Sequence, residues 1–159
     1  MIRETLISAF PANKAILRQF VGSMSEEEIH RRIRNYWTIY EHIDHLVETQ
    51  AISLERIGLF LREERPVIVP FVPDGIPDTG KKSVAELLDS FDDYRSRQVE
   101  LVEKAPARVW ERLGSHDQYT KYGFEILLRH TLLHDSFHMA RMEQLWIMKE
   151  EFLLDLDSN

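Results

Sequence analysis

Three histidines stand four residues apart late in the chain, His130, His134 and His138, within GFEILLRHTLLHDSFHMARMEQLWIMKEE (123–151). The stretch contains no proline and only its first residue is glycine, so it reads as one long helix. Residues four apart on a helix lie one turn above the other on one face. Either HxxxH pair can therefore offer two imidazole nitrogens to one metal ion. A catalytic zinc-type site takes three protein ligands and keeps a position open for water or substrate. The segment EHIDHL, with His42 and His45, offers a third ligand from elsewhere. The same spacing also suits core histidines satisfied by a carbonyl or carboxylate. Leu127, Thr131, His134, His138 and Leu145 form one helical stripe, which sets the later pair on an apolar face, where helix bundles build metal sites. His45 lies off the main apolar stripe of its own segment, beside Glu41, His42, Glu48 and Thr49. The two glutamates could orient an imidazole from behind.

Four long helices must carry these groups. The first covers residues 3–22, with Leu6, Phe10, Leu17, Phe20 and Val21 at helical spacing; Pro11 predicts a kink or a fresh start there. A short turn follows, capped by Ser25 before EEEIHRR. The second long helix spans Trp37 to Glu64, with Thr38 and Glu41 as a capping box. Ser83 and Glu86 form another capping box for a third helix reaching about Ala105. Pro106 to Leu113 reads as a short helix stopped at Gly114, and residues 115–123 as a connecting loop before the histidine helix. Between the second and third helices, PVIVPFVPDGIPDTGKK (66–82) holds four of the six prolines. Prolines exclude helix and argue against a central strand, and loops of this length are often binding elements or lids. No strand and no repeat is expected. The fold class is all-α, a four-helix bundle with a long Pro-rich connection between helices two and three. Trp146, Met148 and Phe152 suit either the core or a dimer surface, with core as the default.

Composition narrows the function. The 159 residues suit a single domain (1–159) that buries about 70% of the surface its unfolded chain exposes. The chain has no cysteine, which excludes disulfides, a thiolate nucleophile and thiolate metal ligands. The longest apolar runs fall far short of the ~20 residues that span a bilayer, and the N-terminus lacks a signal core. A soluble, cytoplasmic protein with no membrane partner is expected. The net charge of −7, from 20 Lys+Arg against 27 Asp+Glu, argues against nucleic acid, which needs a basic footprint. HRRIR (30–34) and Lys81-Lys82 are read as solvated surface.

WTIYEHIDHLVETQ (37–50), the proline-rich break, the capped third helix and YGFEILLRHTLLHDSFHMARMEQL (122–145) together resemble the DinB-like (DinB/YfiT-like metalloenzyme) superfamily. The resemblance rests on an HL pair after a tryptophan, His45-Leu46, and on HDxxH, His134 to His138, and covers about residues 3–150. It implies a four-helix bundle, often a homodimer, that holds a divalent metal through three histidines: His45, His134 and His138. His42 and His130 fall outside the pattern, His42 as surface and His130 as core or support. Asp135 should point away from the ligands and pair with a neighbour. Where the family often has Gln, this chain has Arg141, either an anchor for an anionic substrate or thiol cofactor or, as favoured, surface charge. His116 sits where the family often has a histidine near the site, suited to substrate contact or proton transfer. The resemblance implies a metal-dependent enzyme acting on a small molecule. Thiol-dependent S-transfer or isomerisation with an external low-molecular-weight thiol comes first. Metal-dependent hydrolysis and a non-catalytic metal- or ligand-binding bundle are the alternatives. Three histidines do not distinguish zinc, nickel, iron and manganese.

Overall fold

The computed structural model describes residues 2–71 and 82–153. Four long helices dominate: α1 (Ile2–Val21), α3 (Ile39–Arg62), α4 (Val84–Glu103) and α6 (Phe124–Ile147). Two short ones, α2 (Glu26–His30) and α5 (Ala107–Trp110), sit in the connections, and a 3-10 turn (Glu150–Phe152) follows α6. Local chemistry sets the starts. Ser25, Thr38 and Ser83 each accept from the backbone N–H three residues on, and Glu28, Glu41 and Glu86 each return a bond to the cap backbone. Each such box satisfies two amide groups that a helix start leaves without partners. Pro11 neither breaks α1 nor begins it; the helix runs through.

The helices are not stacked in chain order. Both α1 and α3 pack against α4 and α6, so α1 and α3 lie diagonally across the bundle. Two apolar clusters give the directions. Leu17, Ile43, Leu46, Leu87, Phe91 and Met142 share one end; Phe10, Ile57, Phe60, Val102, Leu127 and Leu128 share the other. Neighbours α3 and α4 therefore run parallel, and α1 and α6 run opposite to them. The Tyr40 hydroxyl donating to the Lys82 carbonyl at 2.7 Å ties the starts of α3 and α4 together. Parallel neighbours need a connection that returns along the bundle, and residues 63–83 are that connection. Of its proline-rich part, 72–81, with Lys81 the last of them, lie outside the described residues, as does the acidic tail 154–159.

Between the two apolar clusters lies a polar layer. Gln50, Ser53, Arg95, Gln98, Thr131 and Asp135 are all buried there. Asn13 joins it from α1, donating to Asp135 Oδ2 at 3.2 Å.

Three expectations are corrected. Strands exist: β1 (Val67–Ile68), β2 (Leu113–His116) and β3 (Tyr122–Gly123) form a small sheet in that order, β1–β2 parallel and β2–β3 antiparallel. Two-residue pairings carry too little periodicity to be read from sequence. Gly114 does not stop a helix but lies within β2, where an added Cβ would sit 2.7 Å from the Pro66 carbonyl oxygen. Only glycine lets β2 approach that closely. The third correction concerns the large C-terminal side chains. Trp146 is half-buried, its ring edge-on to Phe20 and its Nε1–H donating to Glu28 Oε1 at 3.0 Å. Met148 and Phe152 are exposed at 38% and 65%, so neither is core; the helix ends at Ile147 and carries them past the apolar cluster.

Candidate metal centre

The Thr38 cap starts α3 beneath three packing partners, and Ile39 to Ile43 and His45 to Val47 are all buried. His45 enters the bundle from this all-round buried segment. His134 and His138 come from consecutive turns of α6, which packs beside α3. The three rings converge through one kind of atom. His45 Nε2 lies 3.3 Å from His134 Nε2, and His138 Nε2 lies 3.2 Å from His134 Nε2. Candidate ligand atoms of the three all fall within 4.8 Å of one another. Two nitrogens each bound at about 2.0–2.1 Å to a tetrahedral zinc would lie roughly 3.3 Å apart, so this spacing fits an ion that the rings could share.

Protonation state fits as well. Burial pushes the His138 ring down to about 2 and His134 to about 4, with neighbouring histidines adding to each shift. Burial also lowers His45. All three are neutral near pH 7, the form that ligates.

His42 is corrected from surface to interior: it is 7% exposed. Its Nδ1 meets His138 Nδ1 at 2.8 Å. One of these nitrogens must donate, and if His138 gives its Nδ1–H, its Nε2 lone pair is left facing the other two rings. Metal-bound histidines are oriented in this way by an acceptor behind the ring. His42 can accept because burial, with Arg141 and His45 nearby, holds it down to about 3. The expected glutamates do less. Glu41 belongs to the Thr38 cap and to an ion pair with Arg32 at 2.5 Å, and Glu48 Oε2 is 3.7 Å from His45 Nδ1, beyond hydrogen-bond range. Trp37 closes one side, its ring centroid 5.2 Å from His45 and 5.4 Å from His42 and stacked 6.2 Å from His138.

On the other side a cavity of about 220 Å³ opens at His45 and His134 and extends along α3 and α6 to Arg56, His116, Tyr119 and His130. His130 is thus not core: it is exposed on the cavity wall, with its ring stacked 6.4 Å from that of His134. His116 reaches the same cavity from β2, held in register opposite Ile68. Arg141 lies outside the cavity lining. It is half-buried, donates to Gln144 Oε1 at 3.0 Å and stands close enough to lower both His42 and His138. Arg56 went unread in the sequence, although it shares a helical face with His45, Thr49 and Ile52, an i, i+4, i+7, i+11 series.

Asp135 does point away from the ligands. It is 1% exposed and accepts from Arg95 Nη2 at 2.5 Å, Gln50 Nε2 at 2.8 Å and Asn13 Nδ2 at 3.2 Å. Arg95, wholly buried, stacks its guanidinium over Phe10 at 4.6 Å. It lies one turn after Phe91 on the buried face of α4, where sequence patterning expects apolar residues.

A model of the DinB superfamily matches residues 9–142. No curated protein sequence matches the chain. A solved structure, "YfiT from Bacillus subtilis is a probable metal-dependent hydrolase with an unusual four-helix bundle topology", is similar with a TM-score of 0.80 and 22% identity, covering 90% of this chain and 85% of that one. The diagonal placement of α1 and α3, with parallel neighbours α3 and α4, accords with a bundle of that kind. With the family model spanning most of its length and the bundle alike in shape, the chain belongs to the DinB superfamily.

Proposed function

We propose that the protein is a metal-dependent hydrolase of small molecules, with His45, His134 and His138 as ligands of one divalent ion. The convergence of three neutral imidazoles carries this reading, with His134 Nε2 at zinc-like distance from the Nε2 atoms of both His45 and His138 and all ligand atoms within 4.8 Å. A bound ion of this type supplies Lewis acidity and makes water nucleophilic near neutral pH. The chain's own residues do the rest. His42 holds the His138 ring, Trp37 excludes water from one side, and the cavity admits substrate from the other. His116, on the cavity wall, is positioned to contact substrate or move a proton. The likeness to a protein described as a probable metal-dependent hydrolase supports the same chemistry. A single domain in the cytoplasm, acting without nucleic acid or membrane, belongs to this reading; so does a homodimer.

Thiol-dependent transfer is the second reading. The chain lacks cysteine, so the thiol would be external, and the cavity beside the rings offers room for a second reactant. Arg141, lying away from that cavity, would anchor neither reactant. The deciding experiment measures metal content and then turnover of ester, amide and alkyl-halide panels by the zinc-, nickel-, manganese- and iron-loaded protein, with and without added thiols. Metal-dependent hydrolysis lost in His134→Ala supports the first reading. Turnover that requires a thiol replaces it with the second. Stoichiometric metal absent from wild type, or unchanged in His134→Ala, removes both.

A further inference from the structure

The cavity beside the three rings is charged unlike the rest of the protein. The chain carries 27 Asp+Glu against 20 Lys+Arg. Yet of the fifteen described residues lining this cavity, one is arginine, four are histidine and none is acidic. A small cavity lined by cationic and N–H-bearing groups concentrates anions, since its low-dielectric walls focus the field.

Arg56 and His116 line the far end of the cavity, away from His134, and Tyr122 packs behind His116, outside the lining. Arg56 gives one N–H to the Val69 carbonyl at 2.7 Å, which fixes the guanidinium plane in place. That bond occupies only one of the five N–H groups a guanidinium carries. His116 Nδ1 accepts from the Gln118 backbone N–H at 3.1 Å. The neutral ring therefore carries its proton on Nε2 and is a donor there. Tyr122 is 3% exposed, and its hydroxyl has no hydrogen-bond partner among the described residues. The Arg56 guanidinium lies close enough to restrain the rise that burial gives the phenol, without the alignment of a good hydrogen bond. Arg56 likewise depresses His116 and His130, though burial is the larger cause in both. Asp117, beside His116, is exposed and outside the lining. Among the described residues, a guanidinium and a histidine N–H line one end of the cavity with no acidic side chain beside them, and both can donate to an acceptor that a ligand brings.

We propose that this end of the cavity binds the oxyanion head group of a small substrate, a carboxylate or a phosphate monoester, held by Arg56 and His116 with Tyr122 packed behind them, so that its other end reaches His45 and His134. The proposal rests on the reading of those rings as the reacting centre. The cavity is smaller than the roughly 300–1,000 Å³ typical of drug-sized ligands, which restricts the substrate to a compact acid or ester. Arg56 and Tyr122 are then specificity residues, and the charge of the substrate sets its orientation.

The test is NMR titration of the histidine ring signals in metal-free and zinc-loaded protein. The probes are butyrate, methyl phosphate and the neutral butyramide. Either anion should shift His116 and His130 saturably, with butyramide at least roughly tenfold weaker; whichever anion binds tighter names the head group. Arg56→Gln should weaken the anion by at least about tenfold, and Arg62→Gln, on the exposed end of α3, should leave it unchanged. Arg56 also ties α3 to the Val69 carbonyl, so Tyr122→Phe, which keeps the ring packing, is the second variant; it should weaken the anion about threefold or more. Equal binding of butyramide, anion affinity unchanged in Arg56→Gln or in a folded Tyr122→Phe, or no saturable shift by roughly 50 mM anion overturns the proposal. Anion binding that needs zinc but not Arg56 overturns it while sparing the metal reading. Arg56-dependent binding by a protein that takes up no zinc sustains the subsite and removes the metal centre.

Discussion

Two polar clusters are buried between α3 and α6 within a turn or two of each other, and they are built on opposite principles. In one, Arg95, Asp135, Gln50 and Asn13 pair donor with acceptor: charge meets charge, and Asp135 accepts three hydrogen bonds, while Arg95 Nε and Nη1 have no hydrogen-bond partner among the described residues and the guanidinium lies over Phe10. In the other, His45, His134 and His138 turn like atoms toward a common point, and no carboxylate stands within hydrogen-bond range of those atoms. Burial of polar groups is costly in both. The first cluster offsets much of that cost internally, because it holds a charge and its counter-charge. The second offsets it fully only when something electropositive sits among the rings. A network that pairs charge with counter-charge is a part of the scaffold; one that turns like atoms toward each other is a site.

That contrast can be broken most sharply at Asp135. Asp135→Ala leaves the Arg95 charge buried without a counter-ion, and should cost about 3–5 kcal/mol, read as a lowered urea midpoint in metal-free protein. A loss below about 1 kcal/mol would mean that the network is not what holds the helices. His134→Ala should behave in the reverse way. Metal-free stability should change little, while the gain on adding zinc, about 2.7 kcal/mol at a hundredfold excess over Kd, should vanish. Calorimetry with and without zinc measures both halves.

Protonation separates the clusters next. His42 and His138 remain neutral in the fold down to about 3 and about 2, whereas unfolded histidines ionise near 6.5. Below pH 6.5 the unfolded chain takes up protons that the fold refuses, so stability present above that pH is lost as pH falls. The slope approaches about 1.4 kcal/mol per pH unit for each such ring. Urea midpoints of metal-free protein from pH 7 to 5 should show it, and His42→Phe should flatten it; an unchanged midpoint would contradict the burial of these rings. The smallest effect is on affinity. His42→Phe should weaken zinc binding by about 10-fold or more, equivalent to ~1.4 kcal/mol, since His138 loses the acceptor behind it. Competition with a chelator measures this, and equal affinity would remove His42 from the site.

Much of this was legible beforehand, where local chemistry decides. The boxes at Ser25, Thr38 and Ser83 were readable because a cap and its partner lie three residues apart. The His134/His138 pair was readable for the same reason, one turn being four residues. His42 was misread because helical periodicity assumes one buried face, and the start of α3 is buried all round. His130 has the same spacing as the other two; its place on the cavity wall depends on how α6 is rotated against α3. Arg95 escaped because a buried arginine is exceptional without a partner, and its partner lies 40 residues away in the chain.

The sequence by itself determined the helices, their starts, the family and the three histidines, because each is encoded within a few residues or in a short motif. Only the tertiary structure decided which polar groups share an interior. It paired α3 with a parallel α4, set α6 beside α3, and brought β2 across so that His116 faces Arg56. These are contacts between elements far apart in the chain, and their geometry follows from packing rather than from any local pattern.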